Sequence, residues 1–210
     1  MRKGVLIVIS GFSGAGKGTI TKKLLENYDN YALSISMTTR QPRPGEVDGR
    51  EYFFVDRECF EQHIADEELV EYAEYVGNYY GTPRTYVEEQ LNNGKDVILE
   101  IEIQGALKIK ERFPDTLLLF VSTKNADVLF NRLTGRGTET EEVIRNRMMR
   151  AAEEAEGMNE YEYIIINDEL DVCVKETHSI IQSAKAASKR NEEFIKNIQQ
   201  ELKDLSKGEK

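Results

Sequence analysis

Gly11-Phe12-Ser13-Gly14-Ala15-Gly16-Lys17-Gly18-Thr19 follows directly on the apolar run Val5–Ile9 and opens a helical stretch, Lys17–Asn27. Glycines at 11, 14, 16 and 18 let the backbone take positive φ and turn successive N–H groups toward one point. The helix that follows aims the positive end of its dipole at the same point. Lys17 adds an ammonium able to reach β and γ phosphates. Strand, glycine loop and helix together are the P-loop arrangement, and they imply a nucleoside triphosphate bound by Gly11 to Thr19. A dinucleotide loop is excluded, because G-x-G-x-x-G begun at Gly14 would need glycine where Thr19 stands.

One position departs from the usual pattern. The residue after the lysine is normally Ser or Thr, whose hydroxyl binds Mg²⁺, and here it is Gly18. Magnesium is therefore expected to arrive with ATP and to be held through water and phosphate, near Thr19 and Glu100, without direct side-chain ligation.

Outward from the loop, Val97–Ile103, Leu117–Val121 and Tyr163–Ile166 are further apolar runs without period-two alternation, as in parallel strands covered on both faces. Helical stretches lie between them at Arg84–Asn92 and Gly105–Arg112. Alternating strand and helix predicts the α/β class: a P-loop core with a parallel sheet flanked by helices. Two segments break the rhythm. Residues 34–83 carry three of the four prolines and read as an inserted lobe with short strands such as Glu51–Val55. Residues 131–150 are rich in arginine and end in a helix that Thr138 and Glu141 can open as a capping box, a lid over the loop. The core is then 1–33, 84–130 and 151–190, with a helical extension over 191–210. There, Ile195, Ile198, Leu202 and Leu205 keep a 3–4 spacing, expected to pack back on the core or, as the sharper alternative, to join a second copy as a homo-oligomer.

Composition bounds the function. Lys and Arg number 28 against 38 Asp and Glu, a net charge of −10, which disfavours nucleic acid and anionic membrane as partners. Hydrophobic residues at 40% beside 31% charged predict a globular chain. The run Val5–Ile9 is shorter than the ~7–15 apolar residues of a signal peptide. Cys59 and Cys173 form no zinc or disulfide spacing, and His63 and His178 stand alone, which predicts a cytoplasmic protein without a histidine-based site.

The lobe names the acceptor. Ser34-Ile35-Ser36-Met37-Thr38-Thr39-Arg40-Gln41-Pro42-Arg43-Pro44-Gly45-Glu46 precedes Asp48-Gly49-Arg50-Glu51-Tyr52-Phe53-Phe54, Glu71-Tyr72-Ala73 and Gly77-Asn78-Tyr79-Tyr80-Gly81-Thr82. With Gln104-Gly105 and Arg132 to Thr140, this pattern closely resembles guanylate kinase from about Lys3 to Asp171. The resemblance implies transfer of phosphate from ATP to GMP, and to dGMP, with the lobe as the GMP-binding part. It places the GMP phosphate on Arg40, Arg43, Tyr52 and Tyr80, and guanine on Ser36, Glu71 and Thr82 with help from Glu102, where the family commonly has aspartate. It gives the transferred phosphates to Lys17, Arg132, Arg136 and Arg147, with Arg40 also counted as catalytic. Asn167 and Asp168 fall on the expected adenine side.

The residue chemistry agrees. Phosphoryl transfer needs alignment and charge stabilisation more than a base. Arginines fork onto phosphate oxygens. The Glu71 carboxylate offers two acceptors to the N1–H and N2–H₂ donors of guanine, whereas adenine would face it with a lone pair. Strand alternation predicts that Glu100 and Glu102 share one face. The rival reading is a guanylate-kinase-like module that binds protein without catalysis. Such domains tend to lose the loop or its lysine, and both are intact here. A kinase of the same core acting on AMP or another nucleotide is opposed by Glu71 and Ser36.

Overall fold

Val5 to Ile9 lose nearly all contact with solvent, and that burial on both faces is what makes the first strand the centre of the molecule. The computed structural model describes residues 3–75, 77–135 and 140–207. In chain order it contains β1 (Leu6–Gly11), α1 (Lys17–Asn27), β2 (Tyr31–Leu33), β3 (Met37–Thr38), β4 (Phe53–Phe54), α2 (Arg57–Ala65), β5 (Leu69–Tyr75) and β6 (Asn78–Pro83). There follow α3 (Arg84–Asn92), β7 (Asp96–Glu100), α4 (Ile103–Arg112), β8 (Leu117–Ser122), α5 (Ala126–Thr134) and α6 (Glu141–Glu156). The described chain closes with β9 (Tyr163–Ile166), α7 (Leu170–Ala186) and α8 (Glu192–Ser206).

The core sheet is wholly parallel, in the order β2-β7-β1-β8-β9. Leu6 pairs with Val97 and Ile7 with Leu117, so β1 is flanked on both sides by equally apolar strands. Parallel connection puts the ends of β1, β7 and β8 on one edge, where α/β proteins bind ligands. At Gly11 a Cβ would sit 2.1 Å from the Val121 carbonyl oxygen, and φ is +146°, so glycine alone lets β1 leave the sheet here. The opposite edge is pinned by Asp96. Its buried carboxylate accepts from the Val5 amide at 2.9 Å and Asn30 Nδ2 at 2.9 Å, and pairs with Lys185 at 2.7 Å. A buried charge is tolerable when it is matched and hydrogen-bonded in this way.

The inserted lobe has its own sheet, in the order β4-β3-β6-β5. The β6 strand is antiparallel to both β3 and β5, and the lobe core consists of Met37, Phe60 and Leu69.

Several expectations change. The strand expected over Val97–Ile103 stops at Glu100, and Ile103 already begins α4, two residues ahead of the helix start read at Gly105. Glu102 is the extended residue before that helix, so it does not share strand alternation with Glu100. The short β2, absent from the reading of the sequence, completes the sheet. The helix α6 is capped by Thr140, whose Oγ1 accepts from the Val143 amide at 3.4 Å, in place of a box with Thr138, which lies outside the described residues. Nor does α8 return to the core. None of its residues is buried, and Phe194, Ile198, Leu202 and Leu205 are exposed.

Candidate active site

The glycine loop takes the shape its sequence predicts. Gly14 and Gly16 adopt φ of +91° and +99°, and the Ala15 amide donates back to the Phe12 carbonyl at 3.0 Å. Gly16 caps α1 in a left-handed conformation without any side-chain cap, so the positive helix end faces the loop unobstructed. The Lys17 Nζ curls over the loop and donates to the carbonyls of Gly11 at 2.5 Å and Phe12 at 3.1 Å. Burial pushes its pKa down, opposed by the nearby carboxylates of Glu154, Glu100 and Glu102. Burial also pushes the Glu154 carboxyl up, against the pull of Arg150 and Lys17. Glu154 thus stands beside the loop lysine, a neighbour that no local motif announced.

Three of the predicted residues are brought to this loop. Arg147 Nη1 reaches Ser13 Oγ at 3.4 Å. Arg132 braces the loop, donating to the carbonyls of Ala15 at 3.1 Å and Asn167 at 2.7 Å. Asn167 is buried and donates through Nδ2 to the same Ala15 carbonyl at 2.8 Å. Arg136 lies outside the described residues.

Between the loop and the lobe lies a cavity of about 630 Å³ whose walls include Gly18, Ser36, Tyr52, Thr82 and Glu100. A Cβ built on Gly18 would meet the Glu100 carboxylate at 3.7 Å, so that carboxylate faces the first turn of α1. At the lobe end, Thr82 Oγ1 donates to Glu71 Oε1 at 2.8 Å. The residues stand opposite one another because β5 and β6 pair antiparallel, Tyr72 to Gly81. Burial raises the Glu71 pKa, and the Thr82 hydroxyl pulls it part of the way back.

The second wall of the lobe gathers arginine and tyrosine. The Arg40 guanidinium lies 5.3 Å from the Tyr52 ring centre, and Tyr52 and Tyr80 meet edge to face at 6.0 Å. The Arg43 amide donates to Glu46 at 2.7 Å, while Arg40 Nη2 lies 2.9 and 3.0 Å from the two oxygens of the same carboxylate. One cavity thus runs from Gly18 of the loop to Ser36, Tyr52 and Thr82 of the lobe, with the Glu71 carboxylate and the Arg40 turn attached through Thr82 and Tyr52.

Comparison with known proteins supplies the family. A sequence model of the guanylate kinase family matches residues 3–184. The guanylate kinase of Oceanobacillus iheyensis is 50% identical over 196 residues, covering 93% of this chain and 95% of its own length. That of Halalkalibacterium halodurans is 54% identical over 179 residues, covering 85% and 88%. Among solved structures, guanylate kinase from Anaplasma phagocytophilum superposes with a TM-score of 0.70 at 30% identity, over 90% of each chain. The chain belongs to the guanylate kinase family.

Within that guanylate kinase frame, Ser36, Tyr52 and Thr82 line the cavity directly, Glu71 joins through Thr82, and Arg40 and Tyr80 join through Tyr52. Glu102 is not among the cavity's lining residues. Its carboxylate pairs with Arg150 of α6 at 2.6 Å, and Arg150 Nε lies 3.4 Å from Glu154. Arg150 thereby ties the start of α4 to the arginine-bearing helix.

Proposed function

We propose that the chain transfers the terminal phosphoryl group of ATP to GMP, giving ADP and GDP, and that it accepts dGMP as well. The observation that carries this reading is the Glu71–Thr82 pair, set across one cavity from the lysine-bearing loop. Family membership supports the same reaction.

An oxygen of the GMP phosphate attacks the γ-phosphorus. The new O–P bond forms as the β–γ bridging bond breaks, and ADP leaves with the bridging oxygen. The attacking phosphate is largely ionised at neutral pH, so no protein base is needed. Arg40, Arg43, Tyr52 and Tyr80 hold that phosphate, and Lys17 with Arg136 and Arg147 meets the charge on the transferred group. Arg132 belongs with them through its grip on the loop. Glu71 accepts from guanine N1–H and N2–H₂ and Ser36 donates to O6, while Glu102, paired with Arg150 away from the cavity lining, takes no part. The 131–150 segment closes over the triphosphate as a lid and keeps out water.

Magnesium fits this donor set as an ion carried by ATP: the Glu100 carboxylate at the end of β7 faces Gly18, with the Thr19 hydroxyl next in the loop sequence. When bound, it neutralises charge on the phosphate oxygens. Among the described residues no group of three His, Cys, Asp or Glu side chains could hold a metal by itself.

A coupled assay of ADP release with GMP, AMP, CMP and UMP tests the proposal. Turnover should be strong with GMP and weak with the other three. Strong turnover with AMP and none with GMP would refute the specificity, and binding of GMP without any turnover would favour the non-catalytic module.

The protein works in the cytoplasm on this reading, which its two free cysteines support. Among the described residues no helix is long and apolar enough to cross a membrane. The exposed face of α8 is the surface through which a homo-oligomer would form. Sedimentation velocity should then show mass rising with concentration for the full chain, and a Leu202→Glu variant should stay monomeric. A monomer at all concentrations would remove this element of the reading.

A further inference from the structure

The turn from Arg40 to Glu46 closes on itself through one carboxylate. Glu46 sets both oxygens on Arg40 Nη2, at 2.9 and 3.0 Å, and its Oε2 accepts the Arg43 amide at 2.7 Å. The Glu46 amide in turn donates to the Arg43 carbonyl at 3.0 Å. The two paired side chains keep only 15% and 18% of their surface in solvent, unlike the exposed Lys–Glu pairs on α1. The other arm of Arg40 is also placed, with Nη1 donating to the Gln41 carbonyl at 2.7 Å and the guanidinium carbon 5.3 and 5.8 Å from the Tyr52 and Phe54 rings.

We infer that Glu46 is a positioning residue for GMP: it fixes the Arg40 guanidinium against the Tyr52 wall, and the Arg43 turn beside it, before the phosphate arrives. An arginine side chain has four rotatable bonds, and ordering them at the moment of binding would weaken affinity. Here the ordering is already done by the fold. Glu46 approaches from within its own turn and leaves the guanidinium set against the Tyr52 and Phe54 rings. The mutual charge supports the arrangement: Arg40 holds the Glu46 carboxyl below the usual carboxylate range, and Glu46 raises the pKa of Arg40.

This inference rests on the reading of Arg40 as a ligand of the GMP phosphate, and a double-mutant cycle separates the two. Steady-state KM for GMP and for ATP is measured in Glu46→Gln, Arg40→Gln and the double variant, with circular dichroism as the check on folding. Glu46→Gln should raise KM for GMP about tenfold and leave KM for ATP unchanged. In the Arg40→Gln background the same change should add almost nothing, because Glu46 acts through Arg40. Fully additive effects would make Glu46 merely structural, and tighter GMP binding in Glu46→Gln would make it a competitor for the phosphate; either overturns the proposal. An Arg40→Gln enzyme with normal KM for GMP would overturn the phosphate assignment, and this inference with it.

Discussion

Lys17→Met should lower kcat by about 10²–10⁴-fold, the range seen when one preorganised charge is taken from a phosphoryl-transfer site. Lys17 sits on the first residue of α1, with its ammonium parked on the carbonyls of Gly11 and Phe12. Those carbonyls hold it in place over the loop, and phosphate oxygens would draw it away because they carry full charge. Burial already pushes its pKa down, so the fold holds the ammonium at some expense, which three carboxylates partly offset. Methionine keeps the volume and removes that desolvated charge, so the melting temperature should stay close to that of the parent. Steady-state ADP release beside a thermal melt separates the two effects. Unchanged turnover would contradict the assigned role, and a collapsed melt would reassign the loss to folding.

Glu71→Gln should reduce kcat/KM for GMP by about 10²–10⁴-fold, since a site built to pair a donor edge loses heavily when one acceptor becomes a donor. The glutamine oxygen can still take the Thr82 hydroxyl, as Glu71 Oε1 does at 2.8 Å, which leaves the amide N–H₂ opposing the guanine donors. ATP binding, read with a fluorescent analogue, should be nearly unaffected. Stability should move the other way. Burial raises the Glu71 pKa above its unfolded value, so folding favours the protonated form, and the ionised form is the less stable one in the native chain. The Gln variant should therefore melt higher than the parent at neutral pH. The difference should shrink as pH falls through the raised pKa and vanish below the ordinary carboxylate range near 4.3. Equal melting at neutral pH would mean that Glu71 is better solvated than its surroundings indicate, and equal losses toward GMP and ATP would point to a damaged fold.

The core was legible because its signals are local and redundant. The loop, with glycines at fixed places and Lys17 at its end, announces both the first strand and α1, and α3 matches Arg84–Asn92 in full. The overrun of β7 has a physical cause. Ile101 and Ile103 continue the apolar run, yet they pack against the core from outside the strand and from the first turn of α4, and an apolar run alone does not tell the two apart. The β2 strand escaped because three residues with one buried side chain carry no period. Nothing in the sequence marks Asp96, and only the meeting of β1, the Asn30 turn and α7 around it shows its role.

In the lobe, Ser36, Arg40, Tyr52, Glu71, Tyr80 and Thr82 were legible as candidates only together, through the spaced motifs that carry the family resemblance. Their internal partners were not. Glu46 stood within the quoted motif with no task, since nothing in the spacing says that its carboxylate turns back on Arg40. No local pattern marks Glu154 or Arg150, and tertiary packing alone sets the former beside Lys17 and the latter across from Glu102. The α8 stripe shows the converse limit: a 3–4 spacing predicts an amphipathic helix but does not say what meets its apolar side.

The lobe is held together by far less than the sheet beside it. Met37, Phe60 and Leu69 form its own buried apolar cluster, with Phe53, Val55, Ile64 and Tyr79 partly covered around them, while Val70 of β5 packs into the main core. A cluster of that size opens at a free energy well below that of global unfolding, as a separate cooperative unit. The residues proposed to read guanine thus sit in a unit with a small core of its own, while the proposed triphosphate loop is anchored on the main sheet. Acceptor binding adds mass-action stability to that soft unit, so the empty enzyme is expected to be nicked by proteases in the lobe first and the occupied one to be spared there.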